Sequence, residues 1–320
     1  MTGGAEGSAG LIRPARYCDE ASGQPVTVIP PLTDAHVHLS LAPLPPQGSQ
    51  TLGRVLDLGG EPQFLADTAG RTATEVAFAG AFLTADGGYP STRRWAPAGS
   101  LRGISTADQA HRAVAEQADA GAVVIKVALN SSAGPVLEDT TLKAVVCAAR
   151  TRDLPVIAHA EGPGQAARAL NAGVRALAHT PWTERLDDQL IEPMASRMIW
   201  ISTLDMHRRD GDEQAWDTAT ENLKRFLRRG GRAIYGTDLG NGLQEPELHE
   251  PEVDALLSLG HEAGLSAQRL LLMLTGVPLL STHAAVATVL PADITHPAEV
   301  LAALPHARPV PVSALEELRP

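Results

Sequence analysis

From about residue 26 to residue 240, short apolar runs alternate with longer Ala-rich stretches whose apolar positions recur at helical spacing. Strand, helix and strand in succession build a parallel sheet, because the crossover must pass over one face of the sheet before the chain can run the same way again. Eight candidate strands are legible: VTVIPPLTDAHVHL ending near 39, RVLDLGG at 54–60, EVAFAGAFL at 75–83, AVVIKVAL at 122–129, PVIAHAE at 155–161, RALAHT at 175–180, MIWISTL at 198–204 and RAIYGTDLG at 232–240. Eight is the strand number of a closed (β/α)8 TIM barrel. Short strands with right-handed crossovers also build an open doubly wound sheet, and periodicity alone does not choose between the two.

The punctuation agrees with this alternation. Ser105 and Thr106 precede one helical stretch and Gly121 follows it, Gly164 and Gly173 bracket a second, and LEDTTLKAVVCAARTRD ends just before Leu154 and Pro155. LAPLPPQGSQ at 41–50 carries three prolines directly after the first strand and reads as a long loop over the top of the sheet. The segment from about 290 onward is Pro-rich and lacks a long periodic element.

At 320 residues the chain is long enough for one large barrel, and 44% apolar with 20% charged residues is ordinary for a globular protein. Aromatics are only 3%, so aliphatic side chains must fill the core. A formal charge of −11 is the wrong sign for tracking a phosphate backbone or an anionic membrane, so nucleic acid and membranes are not expected partners. No apolar run is long enough to cross a bilayer, and the first ten residues show no basic and apolar leader pattern. Two cysteines far apart, Cys18 and Cys147, make neither a disulfide framework nor a C-x-x-C motif, which points to a reducing, cytoplasmic setting.

Polar residues close several of the apolar runs. In TDAHVHL, strand alternation puts His36 and His38 on one face, an arrangement suited to metal ligation, or to two histidines that simply hydrogen-bond within a strand. Lys126 lies inside AVVIKVAL, where burial would depress its pKa and free the amine to react with carbon dioxide; the alternative is a lysine that snorkels from a strand end. His159 and His179 each close an apolar run, and Glu161 shares the His159 face. Asp238, between Gly236 and Gly240, suits either metal ligation and general-base work or a turn. Taken together, these residues fall at the C-terminal ends of the first, fourth, fifth, sixth and eighth strands, where α/β barrels build their active sites.

That ordered set is similar to the amidohydrolase superfamily of metal-dependent hydrolases. LTDAHVHL, VLDLGG, AVVIKVALNSSAG, LPVIAHAEG, AGVRALAHT and YGTDLG resemble its imidazolonepropionase- and prolidase-like branch over roughly residues 28–275. The resemblance implies that His36, His38 and Asp238 hold one divalent metal and His159 and His179 a second, with carbamylated Lys126 as the bridge. Two Zn ions suit histidine and carboxylate donors first, with Mn, Fe, Co or Ni as alternatives. It implies hydrolysis of an amide-type C–N bond in a small molecule, such as a cyclic amide or imide, an N-acyl amino acid or a dipeptide-like compound, with Asp238 as the general base.

The chain departs from that pattern at its ends and at one loop. The strands that usually form a flanking β-sandwich are largely missing, so 1–27 reads as an N-terminal extension, 28–290 as the barrel and 291–320 as a Pro-rich tail. Where many relatives carry Gly-Gly-His after the third strand, this chain has ADGGYP, which places Tyr89 at a position that often meets substrate. Trp182 and His207 follow the sixth and seventh strands and are further substrate candidates; His249 is another, and Arg93 and Arg94 could take a substrate carboxylate. A mononuclear deaminase or cyclic-amidine hydrolase is the rival reading, against which Lys126 argues. A metal-dependent decarboxylase and a non-catalytic barrel remain as alternatives, and homo-oligomerisation is open.

Overall fold

The computed structural model describes residues 11–17, 24–281, 284–292 and 294–317; Cys18, His283 and residues 1–10 lie outside these. The eight barrel strands are Thr33–Val37, Arg54–Asp57, Glu75–Phe78, Ile125–Asn130, Val156–Glu161, Ala176–Leu177, Ile199–Ile201 and Arg232–Ile234. They are referred to below as the first to the eighth. The first three pair in parallel in that order, as do the fourth to the eighth. After Phe78 the third strand breaks and resumes at Phe82–Thr84, which pairs in parallel with the fourth. Val123 N donates to Phe78 O at 3.0 Å, and the ring closes where Ala35 N donates to Tyr235 O at 3.0 Å and His38 N to Leu239 O at 2.9 Å. The architecture is therefore the (β/α)8 barrel, not the open sheet.

Period-two alternation divides each strand between two cores. Ile157 points inward with His159 and Glu161, and Val124 with Lys126, so aliphatic side chains fill the barrel while polar ones gather at its C-terminal end. The larger aliphatic cluster packs the opposite strand faces against the helices. Those helices carry the expected stops: Thr106 caps Ala107–Asp119 in a reciprocal capping box with Gln109, and Gly173, in the left-handed region, ends Gln165–Ala172.

The chain ends correct the sequence reading. VTVIPPLTDAHVHL is two elements, Gln24–Ile29 and Thr33–Val37, broken at Pro30 and Pro31. The first belongs to a five-stranded antiparallel sheet outside the barrel, in the order Arg308–Pro311, Val286–Pro291, Gln24–Ile29, Arg13–Tyr17, Leu315–Glu317. Boundaries at 27/28 and 290/291 thus cut through strands of one structural unit. The flanking β-structure is reduced to this single layer, packed through Ala15, Val26, Val28, Ala287, Val289 and Val310. The tail reads as irregular because its prolines, Pro309 and Pro311, sit on an edge strand, the one place in a sheet that tolerates a missing N–H.

Candidate active site

Barrel closure brings the HVH pair of the first strand against the turn after the eighth. His36 Nε2 and His38 Nε2 each lie 3.2 Å from Asp238 Oδ1. Close approach is possible because residue 236 is glycine: a Cβ there would meet Ile201 Cγ2 at 2.4 Å and His36 Cβ at 3.2 Å. Asp238 itself takes a left-handed conformation, φ 57°, which aspartate tolerates better than most residues. Asp34 ties the two strands together beneath the site, its carboxyl accepting from His36 N at 3.0 Å, Thr237 N at 3.1 Å and Thr237 Oγ1 at 2.6 Å.

Among the described residues, His36, His179 and Asp238 form a compact donor group, with one ligand atom from each lying within 4.8 Å of the others. His38 also reaches Asp238, so His179 joins the expected trio of His36, His38 and Asp238 around one carboxylate. His159 stands beside it, ring centroid 5.1 Å from that of His179, but its Nε2 meets Glu161 Oε2 at 2.9 Å. Asn130 Nδ2 donates to the same oxygen at 2.6 Å. Lys126 is 1% exposed and lines the same cavity. All six expected ligand positions therefore converge on the C-terminal mouth of the barrel.

Burial sets the protonation. It pushes His36 and His179 well below the ordinary imidazole range, so both rings are neutral. Burial lowers Lys126 to about 7, against the opposing pull of Asp238 and Asp57. Burial also opposes charge on Asp238, yet the carboxyl lies well below the usual range, with the hydrogen bond from His38 among the groups that hold it there. His36 Nδ1 lies 2.8 Å from Ala178 O, a group that can only accept, so this nitrogen carries the single ring proton. The lone pair of His36 Nε2 then faces the lone pairs of an anionic carboxylate at 3.2 Å. Such an arrangement favours a cation shared by both partners, and neutral imidazoles with a carboxylate are the donor chemistry of a divalent transition metal.

The cavity above these donors measures about 470 Å³. The three residues expected to meet substrate all line it. Tyr89 stacks on His159 at 5.1 Å, while Trp182 meets His159, His179 and His207 at 5.8, 5.3 and 5.4 Å. His249 lies elsewhere, with Nε2 2.8 Å from Asp205 Oδ2. Arg93 sits 5.7 Å from the centre of the Tyr89 ring, and neither it nor Arg94 forms part of the wall.

Several contributors were not evident in the sequence. Trp95, Asp210, Asp212 and Gln244 line the cavity from loops and helix ends that carry no periodic signal, and Phe82 lines it from the resumed strand Phe82–Thr84. Thr203 Oγ1 lies 2.8 Å from His179 Nδ1 and orients that ring. Its φ of 45° is a strained value for a β-branched residue, and the STL run that ends the seventh strand gave no sign of it.

Comparison with known proteins agrees with this geometry. A search of curated proteins finds no significant match. Solved structures of the same fold include a Xaa-Pro dipeptidase with methionine bound in its active site (17% identity, TM-score 0.67, covering 92% of this chain and 87% of that one). A putative prolidase from Bifidobacterium longum matches at 22% identity and TM-score 0.63, over 88% of this chain and 80% of that one. Ochratoxinase from A. niger matches at 17% and 0.65, over 88% and 80%. The sequence profile of the amidohydrolase family matches residues 27–281, which takes in the whole barrel and every residue of the site. The chain belongs to the amidohydrolase family and is a hydrolase acting on carbon–nitrogen bonds, with prolidases among its structural neighbours.

Proposed function

We propose that the protein hydrolyses an amide-type C–N bond of a small molecule with the help of bound divalent metal. The observation that carries this reading is the His36–Asp238 approach at 3.2 Å, a neutral imidazole lone pair set against a carboxylate at the mouth of a cavity. His36, His38, His179 and Asp238, with His159 and Lys126 beside them, would hold the metal. Two Zn ions are our first assignment, and Mn, Fe, Co or Ni suit the same donors. The metal supplies Lewis acidity toward water and toward the scissile carbonyl.

The chain's own residues do the rest. Asp238, anionic at neutral pH, accepts the proton of the attacking water and returns it to the departing nitrogen as the acyl C–O bond forms and the C–N bond breaks. Tyr89, Trp182 and His207 hold the substrate over that carboxylate. Lys126, with a large share of its amine neutral near pH 7, can add carbon dioxide: an N–C bond forms, one proton leaves, and the product is an anionic donor with two oxygens. A reducing, cytoplasmic setting belongs to the same reading, supported by the exposed thiol of Cys147.

Metal analysis of protein purified without chelator or His tag tests the site. About two ions per chain support the Lys126-bridged pair. About one favours the mononuclear reading, for which the compact His36, His179 and Asp238 group is the structural argument. In addition, Asp238→Asn should keep the native circular dichroism spectrum and lose turnover by about 10²–10⁴-fold, the range for a general base. Near-normal turnover removes Asp238 from that role.

A further inference from the structure

The chain has only four Trp, three Tyr and four Phe, yet Phe82, Tyr89, Trp95 and Trp182 all line one cavity. Trp95 meets Phe82 at 6.2 Å and Tyr89 at 6.1 Å, which makes one aromatic wall; Trp182 makes another, and Tyr89 and Trp182 both touch His159. Trp95 remains 38% exposed, an apolar ring open to solvent on the side away from Phe82 and Tyr89. Aromatic walls recognise flat apolar groups by stacking and edge contacts, at separations like these.

The charge of the cavity is equally one-sided. Among the described residues, Lys126 is the only Lys or Arg in the lining, and it sits buried among the metal-ligand candidates. Asp210 and Asp212 are exposed and line the cavity, and Glu161 lies further in beside His159. Arg209, which could have offered a cation, is spent on Asp205 Oδ2 at 3.1 Å and on the carbonyls of Thr237 and Asn241. Away from the donors that would hold the metal, a substrate carboxylate at the mouth of this cavity would find Asp210 and Asp212 and no guanidinium or ammonium of the lining to pair with, a cost that selects against it.

We propose that the substrate is an aromatic or similarly flat ring-bearing amide that carries no carboxylate, and that a positive charge on the far side of its ring is accepted beside Asp210 and Asp212. This rests on the amide-hydrolase reading and narrows it, setting aside N-acyl amino acids and dipeptides with a free C-terminus.

Three probes share one scissile bond and differ in the para substituent and its charge: acetanilide, 4-(aminomethyl)acetanilide and 4-acetamidobenzoate. With metal-loaded enzyme, the neutral and cationic anilides should exceed the benzoate in kcat/KM by about tenfold or more, the size expected of one or two screened charges at a cavity mouth. Asp210→Lys should shrink or reverse that ratio. Binding of the same probes to chelator-treated protein is followed by tryptophan fluorescence, since Trp95 and Trp182 face the cavity while Trp200 is buried against Phe226. Ordered binding of cation and neutral over anion without turnover upholds the cavity reading and overturns the hydrolase reading. Equal or preferred turnover of the benzoate overturns the charge argument, and failure of all three to bind or react overturns the aromatic one.

Discussion

Asn222 is completely buried in the helix Glu213–Arg228, where it holds the loop that follows His179. Its Nδ2 donates to Pro181 O at 3.0 Å and to Glu184 O at 2.9 Å, and its Oδ1 accepts from Leu186 N at 3.0 Å. These three bonds fix residues 181–186, and with them Trp182 in the cavity wall. Asn222→Ala would leave the Leu186 N–H and two carbonyls without their partner. An orphaned buried group costs about 1–3 kcal/mol, and allowing for partial relaxation the variant should lose about 3–5 kcal/mol of stability. Unfolding entropy of about 2 cal/mol/K per residue converts that to a melting midpoint lower by about 4–7 °C. Thermal and urea denaturation followed by circular dichroism measures it. The exposed Arg152–Asp119 pair supplies the control, because Asp119→Ala should change stability by no more than about 0.5 kcal/mol. The freed loop should also raise KM for a ring-bearing substrate more than it lowers kcat. A melting midpoint within about 1 °C of wild type would refute the assignment of those bonds.

Two further perturbations follow from the shell around the site. Thr203→Val removes the oxygen 2.8 Å from His179 Nδ1, and metal affinity measured by chelator competition should fall about 10–100-fold; unchanged affinity would mean that Thr203 does not orient the ring. Glu252, whose Oε2 accepts from Asp205 N at 2.6 Å, is raised by burial to about 8. A carboxyl raised in this way stabilises the fold fully below its unfolded pKa, near 4.5, and loses that contribution as pH climbs toward 8. Glu252→Gln cannot ionise, so its melting midpoint relative to wild type should improve steadily between pH 5 and pH 8. A pH-independent difference would contradict the raised pKa.

What could be read along the chain is local. Strand alternation puts His36 with His38 and His159 with Glu161 on common faces, because successive side chains point to opposite sides, and helix caps such as Thr106 act within a few residues. Placement of His179 and Asp238 just past their strands was legible too, whereas Lys126, expected at a strand's C-terminal end, is the second residue of Ile125–Asn130 and reaches the cavity from within the strand. The terminal sheet was not, since Gln24–Ile29 gains its partners from Arg13–Tyr17 and from Val286–Pro291, and no local period announces a pairing between the two ends of a chain.

The sequence by itself determined the alternation, the interior stripe of each strand and the polar residues that crown it, because these depend on backbone geometry over a few residues. Only closure of the barrel decided that His36 and His38 meet Asp238, that His179 joins them, and that Asn222 anchors the Trp182 loop. The cavity's character was decided there too: Trp95, Asp210 and Asp212 come from irregular loops whose positions follow from what they pack against, and packing is a property of the folded chain rather than of any stretch of it.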